Sequence, residues 1–439
     1  MKPIFLLLAT LTLAAAQTPP APETDTPAPN SPNSPNSPEI TKLQILVKNP
    51  ACTPETWVLL GNALMQKSRD SVSHDFTAAY LAYRSALTVE PDHADAMTGM
   101  AWVKNSEHDF PAGKMWARKA LDTDPKQTDA HALIGDGALE LGDYDEAARH
   151  YQIAIDQRPD LSTLSRAAHL HWMTGEGTRA RALMQQAIAA GGPYPENAAW
   201  CRAELALMLF HGGALLPAEQ QAALALEAAP NNPRVLATVA RIAAARKEYP
   251  KAIALYEKSA SITPTHDALA PLVDLYRATD QHEKADQQFA IVVAYHVNPH
   301  PHADGKLYPN PDLGANAQLA RFYADQGKNL DDALKQARAA YERSKNVTVT
   351  DTLAWCLCLN GQPAEAKSFI NLALRRKTQD AGILFHAGMI HHALKDDGPA
   401  RQYFSKALNL NPNFNAAQAD TIVALLAQPP ARAPEPAAP

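Results

Sequence analysis

Residues 128–159 read TDAHALIGDGALELGDYDEAARHYQIAIDQRP and contain two helical patterns in tandem. Apolar residues recur at helical spacing through Ala130–Leu141 and again through Tyr144–Asp156. Between the two patterns, Gly142 can adopt the left-handed conformation that ends a helix, and Asp143 can cap the helix that follows. The segment therefore predicts a helical hairpin with a tight turn at Gly142.

The hairpin recurs along the chain at an interval marked by proline, a residue that cannot continue a helix. Prolines stand 34 residues apart in two runs and return to phase after one insertion: Pro91, Pro125, Pro159 and Pro193, then Pro230 and Pro264, then Pro412. A fixed interval of this length is typical of solenoids, in which each unit packs on the next. We therefore predict an all-α solenoid of about ten helix-turn-helix repeats.

Small residues recur where the two helices of a unit must approach closely, and large apolar residues fill the space between them. The corresponding small residues are Gly135, Ala147 and Ala154 in one unit, Ala240, Ala252 and Ser259 in another, and Gly388, Ala400 and Ala407 in the last. The unit that begins near Ser162 is expected to be degenerate, because Arg181 stands where a small residue is needed.

This pattern resembles the tetratricopeptide repeat (TPR). Its best single match is the set Trp57, Leu60, Gly61, Ala79, Tyr83, Ala86 and Pro91, with Leu64 where the family usually has tyrosine. The resemblance extends from Pro54 to about Gln428, and Asp351–Phe414 is similar to the closing block of secreted bacterial repeat proteins of uncharacterised role. It implies a right-handed superhelix whose first helices line a concave groove that binds a protein or peptide.

The ends of the chain differ in composition from the repeats. Residues 1–16 have a short apolar run after Lys2 and close on three alanines, which predicts a secretory signal peptide; an uncleaved anchor is the alternative. The mature protein is then exported and soluble, periplasmic or secreted from a bacterium. The predicted divisions are a disordered linker rich in Pro, Asn and Ser at 17–40, repeats 1–7 at 54–298, an inserted His/Pro-rich loop at 299–312, repeats 8–10 at 313–414, a capping helix at 415–428 and a disordered tail at 429–439.

Composition excludes several classes of function. The net charge is -6 and no cluster of lysine and arginine stands out, so nucleic acid is not a predicted partner. The chain has no Gly-rich phosphate loop, His-Glu-x-x-His, Gly-x-Ser-x-Gly or Cys-x-x-Cys motif, so no enzyme activity and no cofactor are predicted. Pairing is left open for the four cysteines, Cys52, Cys201, Cys356 and Cys358.

The stretch that interrupts the period, Tyr295–Leu313, contains a group of metal-ligand residue types, His296, His300 and His302 with Asp304. The prolines around them fix the backbone without bringing the three rings together in any obvious way. A proline-locked surface loop with merely polar histidines is the favoured interpretation, so no metal is predicted. The loop can still contribute to binding, as inserted loops often do.

The predicted partner-binding residues lie at inward-facing positions of first helices: Trp102, Arg241, Arg321, Asp351, Trp355, Phe385, Met389 and His392. Aromatic residues, methionine and arginine are enriched at interfaces. For each residue the alternative, contact with the neighbouring hairpin, is equally open. The carboxylate clamp of TPR co-chaperones is not expected, because its lysine, asparagine and arginine places hold Val58, Gly99, Asp129 and Leu133.

The sequence therefore predicts a non-catalytic, extracytoplasmic scaffold that binds a peptide or protein in the concave groove. The alternative is a structural component of the cell envelope that associates with itself or contacts cell-wall polymer. The sequence does not identify the partner.

Overall fold

The structure, a computed structural model, describes residues 38–70, 75–191, 195–298, 300–301, 307–308 and 316–429. These residues form α-helices joined by short turns, together with one pair of two-residue strands. The predicted all-α helical repeat superhelix is confirmed. The predicted signal segment 1–16, the linker as far as residue 37 and the tail from residue 430 lie outside the described residues.

A short helix, α1 (Pro38–Leu46), precedes the first repeat, and each repeat is a pair of helices. Repeats 1 to 5 are α2 (Pro54–Asp70) with α3 (Thr77–Val89), α4 (Ala94–Ser106) with α5 (Phe110–Thr123), α6 (Thr128–Leu141) with α7 (Tyr144–Gln157), α8 (Leu161–Met173) with α9 (Gly177–Ala190), and α10 (Pro195–His211) with α11 (Leu215–Ala228).

Repeats 6 and 7 are α12 (Pro233–Ala245) with α13 (Tyr249–Ile262) and α14 (His266–Ala278) with α15 (His282–Val297). The strands β1 (His300–Pro301) and β2 (Leu307–Tyr308) then pair antiparallel within the inserted segment. Repeats 8 to 10 are α16 (Ala317–Asp325) with α17 (Leu330–Arg343), α18 (Val347–Leu359) with α19 (Pro363–Leu374), and α20 (Ala381–Ala393) with α21 (Asp397–Leu410). A last helix, α22 (Ala416–Ala427), follows repeat 10.

The turn inside repeat 3 forms as the sequence predicts. Gly142 ends α6 in the left-handed region, with φ of 87°. The Asp143 carboxylate then accepts a hydrogen bond of 3.0 Å from the backbone N–H of Glu146 in the first turn of α7. A cap of this kind contributes about 1 kcal/mol to helix stability.

An aromatic ring packed over a glycine holds the two helices of repeat 3 together. A Cβ on Gly135 of α6 would lie 2.4 Å from the Tyr151 ring of α7, so the ring occupies the space that a side chain would need. Ala147 and Ala154 are fully buried on the same side of α7. The Tyr151 hydroxyl donates a hydrogen bond of 2.8 Å to Asp136, so this core residue also positions a carboxylate on the first helix.

The start of the array corrects the predicted linker boundary at residue 40, because α1 begins at Pro38. Proline is well tolerated in the first turn of a helix. Ile40 and Leu43, one turn apart, pack against Leu60 and Ala82 of repeat 1. Helix α1 therefore covers the open edge of the first repeat, as terminal caps of solenoids do.

The prediction that repeat 4 is degenerate at Arg181 is wrong. Asp160 and Thr163 form a capping box that starts α8 one residue earlier than expected, at Leu161. This shift places Ala180, rather than Arg181, at the small position, and Ala180 is fully buried. Repeat 4 therefore packs like its neighbours.

The inserted segment widens the junction between repeats 7 and 8. The backbones of α15 and α16 do not pack closely, whereas the second helix of every other repeat packs on the next first helix. Side chains span the wider gap: the rings of Phe289 and Phe322 stack with their centroids 5.1 Å apart. Across the same junction Gln326 donates a hydrogen bond of 2.9 Å to Asp274.

The superhelix contacts itself one turn later along a line that we call the seam. Residues 140–142, 173–175 and 210–213 form one side of the seam, and residues 344–347, 377–378 and 410–411 form the other. The hydrogen-bonded side chains are 201 to 206 residues from their partners, about six repeat lengths. Repeats of an ordinary solenoid contact only their neighbours, so the seam adds long-range contacts that such arrays lack.

The seam also satisfies the ends of three first helices. The last carbonyls of a helix have no partner within it. The Asn346 side chain donates a hydrogen bond of 3.1 Å to the backbone carbonyl of Glu140 in α6. The Thr378 hydroxyl donates one of 2.7 Å to the carbonyl of Met173 in α8. The Asn411 side chain donates one of 2.8 Å to the carbonyl of Phe210 in α10. The turns that follow repeats 8, 9 and 10 therefore cap the first helices of repeats 3, 4 and 5.

Candidate functional site

The first helices of the repeats form the inner surface of the array. Each packs closely on the first helix of the next repeat, from α2 on α4 to α18 on α20, with α14 and α16 as the exception. Consecutive second helices of the described chain do not pack on one another in this way. An array whose first helices are closer together than its second helices curves around the first helices, so these line the concave side.

Opposite charges on this inner surface pair from one repeat to the next. Each pair joins residues 30 positions apart on neighbouring first helices: Asp136–Arg166 at 2.9 Å, Glu204–Arg234 at 2.8 Å and Arg321–Asp351 at 2.8 Å. The concave surface is therefore polar and largely neutralised by its own residues. Charge-assisted hydrogen bonds of this length also fix the orientation of each helix against the next.

Two inner arginines differ from these pairs. Among the described residues, no carboxylate lies within salt-bridge distance of Arg241 on α12 or of Arg277 on α14. Arg241 is hydrogen-bonded to the Tyr256 hydroxyl, and Arg277 donates to the side-chain oxygen of Gln326. Both arginines are partly exposed, so their charges remain available to a carboxylate from outside the chain.

Repeats 5 and 10 face each other near the seam. His211 at the end of α10 lies 3.9 Å, Nδ1 to Oδ2, from Asp380 in front of α20. Burial lowers the pKa of His211, although the Asp380 carboxylate opposes this effect. Asp380 is held in place because it caps α20, accepting a hydrogen bond of 2.7 Å from the backbone N–H of Gly382.

The aromatic surface predicted for repeats 9 and 10 is buried. Trp355 is 6% exposed and Phe385 is 4% exposed. The Trp355 indole N–H donates a hydrogen bond of 3.0 Å to the Asp325 carboxylate. The indole also stacks on the His386 ring, with the ring centroids 4.6 Å apart. Both aromatics therefore pack against neighbouring helices, the alternative that the sequence left open, and their contact with a partner stays a prediction.

Asp351 also packs against neighbouring helices, and its contact with a partner stays a prediction. It is 1% exposed and bridges Arg321 and the His386 Nδ1 at 2.8 Å each. Burial alone would raise the pKa of Asp351, but His386 and Arg321 together lower it below its usual range. Arg321 itself keeps 27% of its side chain exposed and also pairs with Asp325 at 2.7 Å.

The other predicted groove residues remain accessible to different degrees. Met389 and His392 are partly exposed on α20, and Arg241 is partly exposed on α12. Trp102 on α4 packs against the apolar clusters that join repeats 1 to 3. The role of these residues in partner binding remains a prediction.

Sequence reasoning missed Arg166, Arg234 and Arg277 as members of the inner surface. A usable signal for the first two was present, since each follows a carboxylate on the preceding first helix by 30 residues. In a 34-residue repeat, such an offset links two different inward positions of neighbouring units. A choice of residues by type at single inward positions does not detect pairs that join two different positions.

Family models describe separate parts of the same array. Models of the tetratricopeptide repeat match residues 112–162 and 132–198, and another matches residues 381–414. The chain is a tetratricopeptide repeat protein. No curated protein matches its sequence.

Solved structures resemble this TPR protein at low sequence identity. Human IFIT1, solved as a dimer with m7Gppp-AAAA, is 13% identical, with a TM-score of 0.49 over 84% of each chain. Yeast Tom70 is 13% identical, with a TM-score of 0.39 over 88% of this chain and 91% of its own. Pseudomonas aeruginosa pilF is 18% identical, with a TM-score of 0.39 over 46% of this chain and 91% of its own. Likenesses at this level describe helical architecture and say nothing of partners.

TPR proteins generally mediate protein–protein interaction and are typically non-catalytic. In the part of the TPR chain that the structure describes, no helix is both long enough and apolar enough to cross a membrane.

His296 lies in the last turn of α15, just before the inserted segment of the TPR array. His296 is 3% exposed, and its two ring nitrogens lie 2.8 Å from His266 Nδ1 and 3.0 Å from Asn316 Nδ2. Both nitrogens are thus engaged at the junction of repeats 7 and 8, which corrects its place among the metal candidates. His300 lies in β1, and the predicted candidates His302 and Asp304 lie outside the described residues.

The four cysteines of the TPR protein are free thiols. Cys201 and Cys356 are fully buried, and burial raises the pKa of each thiol to about 12. A thiol reacts through its thiolate, so these two cysteines act as small packing residues.

Proposed function

We propose that this TPR protein is a non-catalytic, extracytoplasmic scaffold that holds a segment of a partner protein along its concave surface. The observation that carries the proposal is the set of partly exposed arginines on the first helices of repeats 4, 6, 7 and 8, namely Arg166, Arg241, Arg277 and Arg321. Arginine is enriched in protein interfaces and binds carboxylates through two parallel hydrogen bonds. The partner segment thus carries acidic side chains.

Arg241 and Arg277 are the proposed anchors, because the other inner arginines already have carboxylate partners. Exposed carboxylates nearby, Asp267 and Asp274, would repel a densely acidic ligand. The preferred segment therefore has isolated acidic residues separated by neutral or basic ones. Since the seam closes one turn of the superhelix, an extended segment suits the concave surface better than a folded domain.

Site-specific photocrosslinking in the cells that express the protein tests this proposal. A photoreactive residue at exposed Ala278, beside Arg277 on α14, should form an adduct with another protein. The same residue at exposed Gln287, on the second helix α15, should not. The double substitution Arg241→Ala and Arg277→Ala should lower the Ala278 adduct roughly tenfold, since loss of an anchor costs more than about 1 kcal/mol.

Two outcomes would overturn the groove proposal. Equal adducts from positions 278 and 287 would mean that the concave surface has no special role. An adduct with the mass of two copies of this chain would favour the self-associating envelope component instead.

Export is tested separately by the mature N-terminus. N-terminal sequencing of protein from the expressing cells should begin at Gln17, because the apolar run closes on Ala14–Ala16. Leu7→Arg, which breaks the apolar run, should leave uncleaved protein inside the cell as the matched control. A wild-type chain that keeps Met1 and sediments with membranes would support an anchor and contradict cleavage.

A further inference from the structure

Three metal-ligand side chains meet at the N-terminal edge of the array, far along the chain from the histidine-rich insertion. Donor atoms of Glu55, Glu90 and His93 all lie within 4.8 Å of one another. Among the described residues, they are the one group of three histidine, cysteine, aspartate or glutamate side chains with this spacing. They come from three different helix ends.

The fold fixes these positions through a short turn and a helix start. Glu90 directly follows α3, and His93 directly precedes α4. The backbone N–H of His93 donates a hydrogen bond of 3.2 Å to the Glu90 carbonyl across the turn. Glu55 lies in the first turn of α2, where the positive end of the helix favours a carboxylate. A hydrogen bond from Thr53 is the main cause that lowers the pKa of Glu55, so this carboxylate is ionised at neutral pH.

His93 is the member that a simple surface ion pair does not explain. It is 8% exposed, and neither ring nitrogen makes a hydrogen bond with any described residue. Its Nε2 is 3.9 Å from Glu55 Oε1, too far for a hydrogen bond. A largely buried histidine whose ring nitrogen lies within 4.8 Å of two carboxylate oxygens has the arrangement of a metal ligand.

We infer that Glu55, Glu90 and His93 bind a zinc ion that ties α2 to the turn between α3 and α4. Mixed nitrogen and carboxylate donors suit Zn²⁺, whereas Mg²⁺ and Ca²⁺ prefer oxygen alone. Zinc–ligand bonds are roughly 2.0–2.2 Å long, so the donors must move closer together. The two glutamates are exposed and can rotate to do so. Three protein ligands leave the fourth position to water.

Zinc binding to the full chain, free of any histidine tag, tests the site against a competing chelator. We expect one Zn²⁺ per chain, and a melting temperature that rises with Zn²⁺ but not with equal Mg²⁺. His93→Ala should lower the zinc affinity at least about tenfold, because even the loss of a residue that only orients a ligand costs that much. Glu90→Gln, an exposed substitution that leaves the fold intact, should lower it as well.

The double substitution His300→Ala and His302→Ala is the matched control, because it removes the other candidate donors and keeps Glu55, Glu90 and His93. It should leave the zinc affinity unchanged. Loss of binding in this control, or wild-type binding in Glu90→Gln and His93→Ala, would overturn the site. So would a wild-type chain that binds no zinc at all.

Discussion

Gly175→Ala should open the seam and lower the free energy of unfolding by about 1–3 kcal/mol more than Gly361→Ala does. A Cβ on Gly175 would lie 2.3 Å from the backbone oxygen of Lys377, across the seam. Backbone atoms cannot move aside as the end of a side chain can. The substitution therefore requires the two sides of the seam to separate.

Gly361→Ala is a close control because it shares the backbone strain without the clash. Gly175 has φ of 80° and Gly361 has φ of 72°, and each ends the first helix of its repeat. A Cβ on Gly361 would meet nothing within 4 Å. The difference between the two variants, measured by denaturant unfolding, thus isolates the cost of the seam contact. Equal losses would mean that the seam does not hold in solution.

The other seam turns give the same expectation. Gly142 and Gly213 also have positive φ. Across the seam, a Cβ on Gly142 would lie 2.7 Å from a backbone atom, and a Cβ on Gly213 would lie 2.2 Å from one. In repeats 2, 6, 7 and 10, the equivalent turn has a residue with a side chain at positive φ. These residues are His108, Lys247, Asp280 and Lys395. The glycines of repeats 3 to 5 are therefore required by space and not only by turn conformation.

The seam changes how the array should unfold. In an ordinary solenoid, stability is close to a sum of repeat and nearest-neighbour terms, so the ends can unravel separately. Seam contacts couple repeats 3–5 to the turns that follow repeats 8–10. With Gly175→Ala, we expect a broader unfolding transition and a larger maximum dimension in X-ray scattering than for the wild type.

The repeating hairpin could be predicted because its causes are local. Turn glycine, capping aspartate and terminal proline act within a few residues, as at Gly142, Asp143 and Pro159. The seam could not be predicted, because it depends on small rotations that accumulate over about six repeats. Its trace in the sequence, glycine at the same turn of three consecutive repeats, is also explained by helix termination alone. Only the contact with Lys345, Lys377 and Leu410 separates the two explanations.

The helix positions of the candidate site could be predicted, but the burial of its large side chains could not, for a physical reason. The repeat position correctly placed Asp351, Trp355 and Phe385 on first helices. An inward position, however, faces both the concavity and the first helix of the next repeat, and large side chains fill the second space. Arg241 and Arg321 stay partly exposed because burying a guanidinium without full pairing is costly.

Asp351→Asn should cost about 3 kcal/mol of unfolding free energy, near the lower limit for breaking a buried ion pair. The His386 Nε2 is buried with no hydrogen-bond partner in the described chain, so its Nδ1 contact with Asp351 is the main polar contact of the ring. An amide can keep a hydrogen bond but not the charge that Arg321 requires. Arg321 retains Asp325 and some solvent, which limits the loss.

The pH dependence separates this charge from ordinary packing. The pKa of Asp351 is lower in the folded chain than its unfolded value, so its contribution is complete above about pH 4 and is lost as the pH falls through the folded pKa. Between pH 7 and pH 2, the free energy of unfolding should therefore fall more steeply for the wild type than for Asp351→Asn.

Glu365→Gln is the control. The Glu365–Arg338 ion pair, at 2.9 Å, is exposed on both sides and contributes at most about 1 kcal/mol. If both variants lost the same stability with the same pH profile, the buried charge would not be what holds repeats 8 to 10 together.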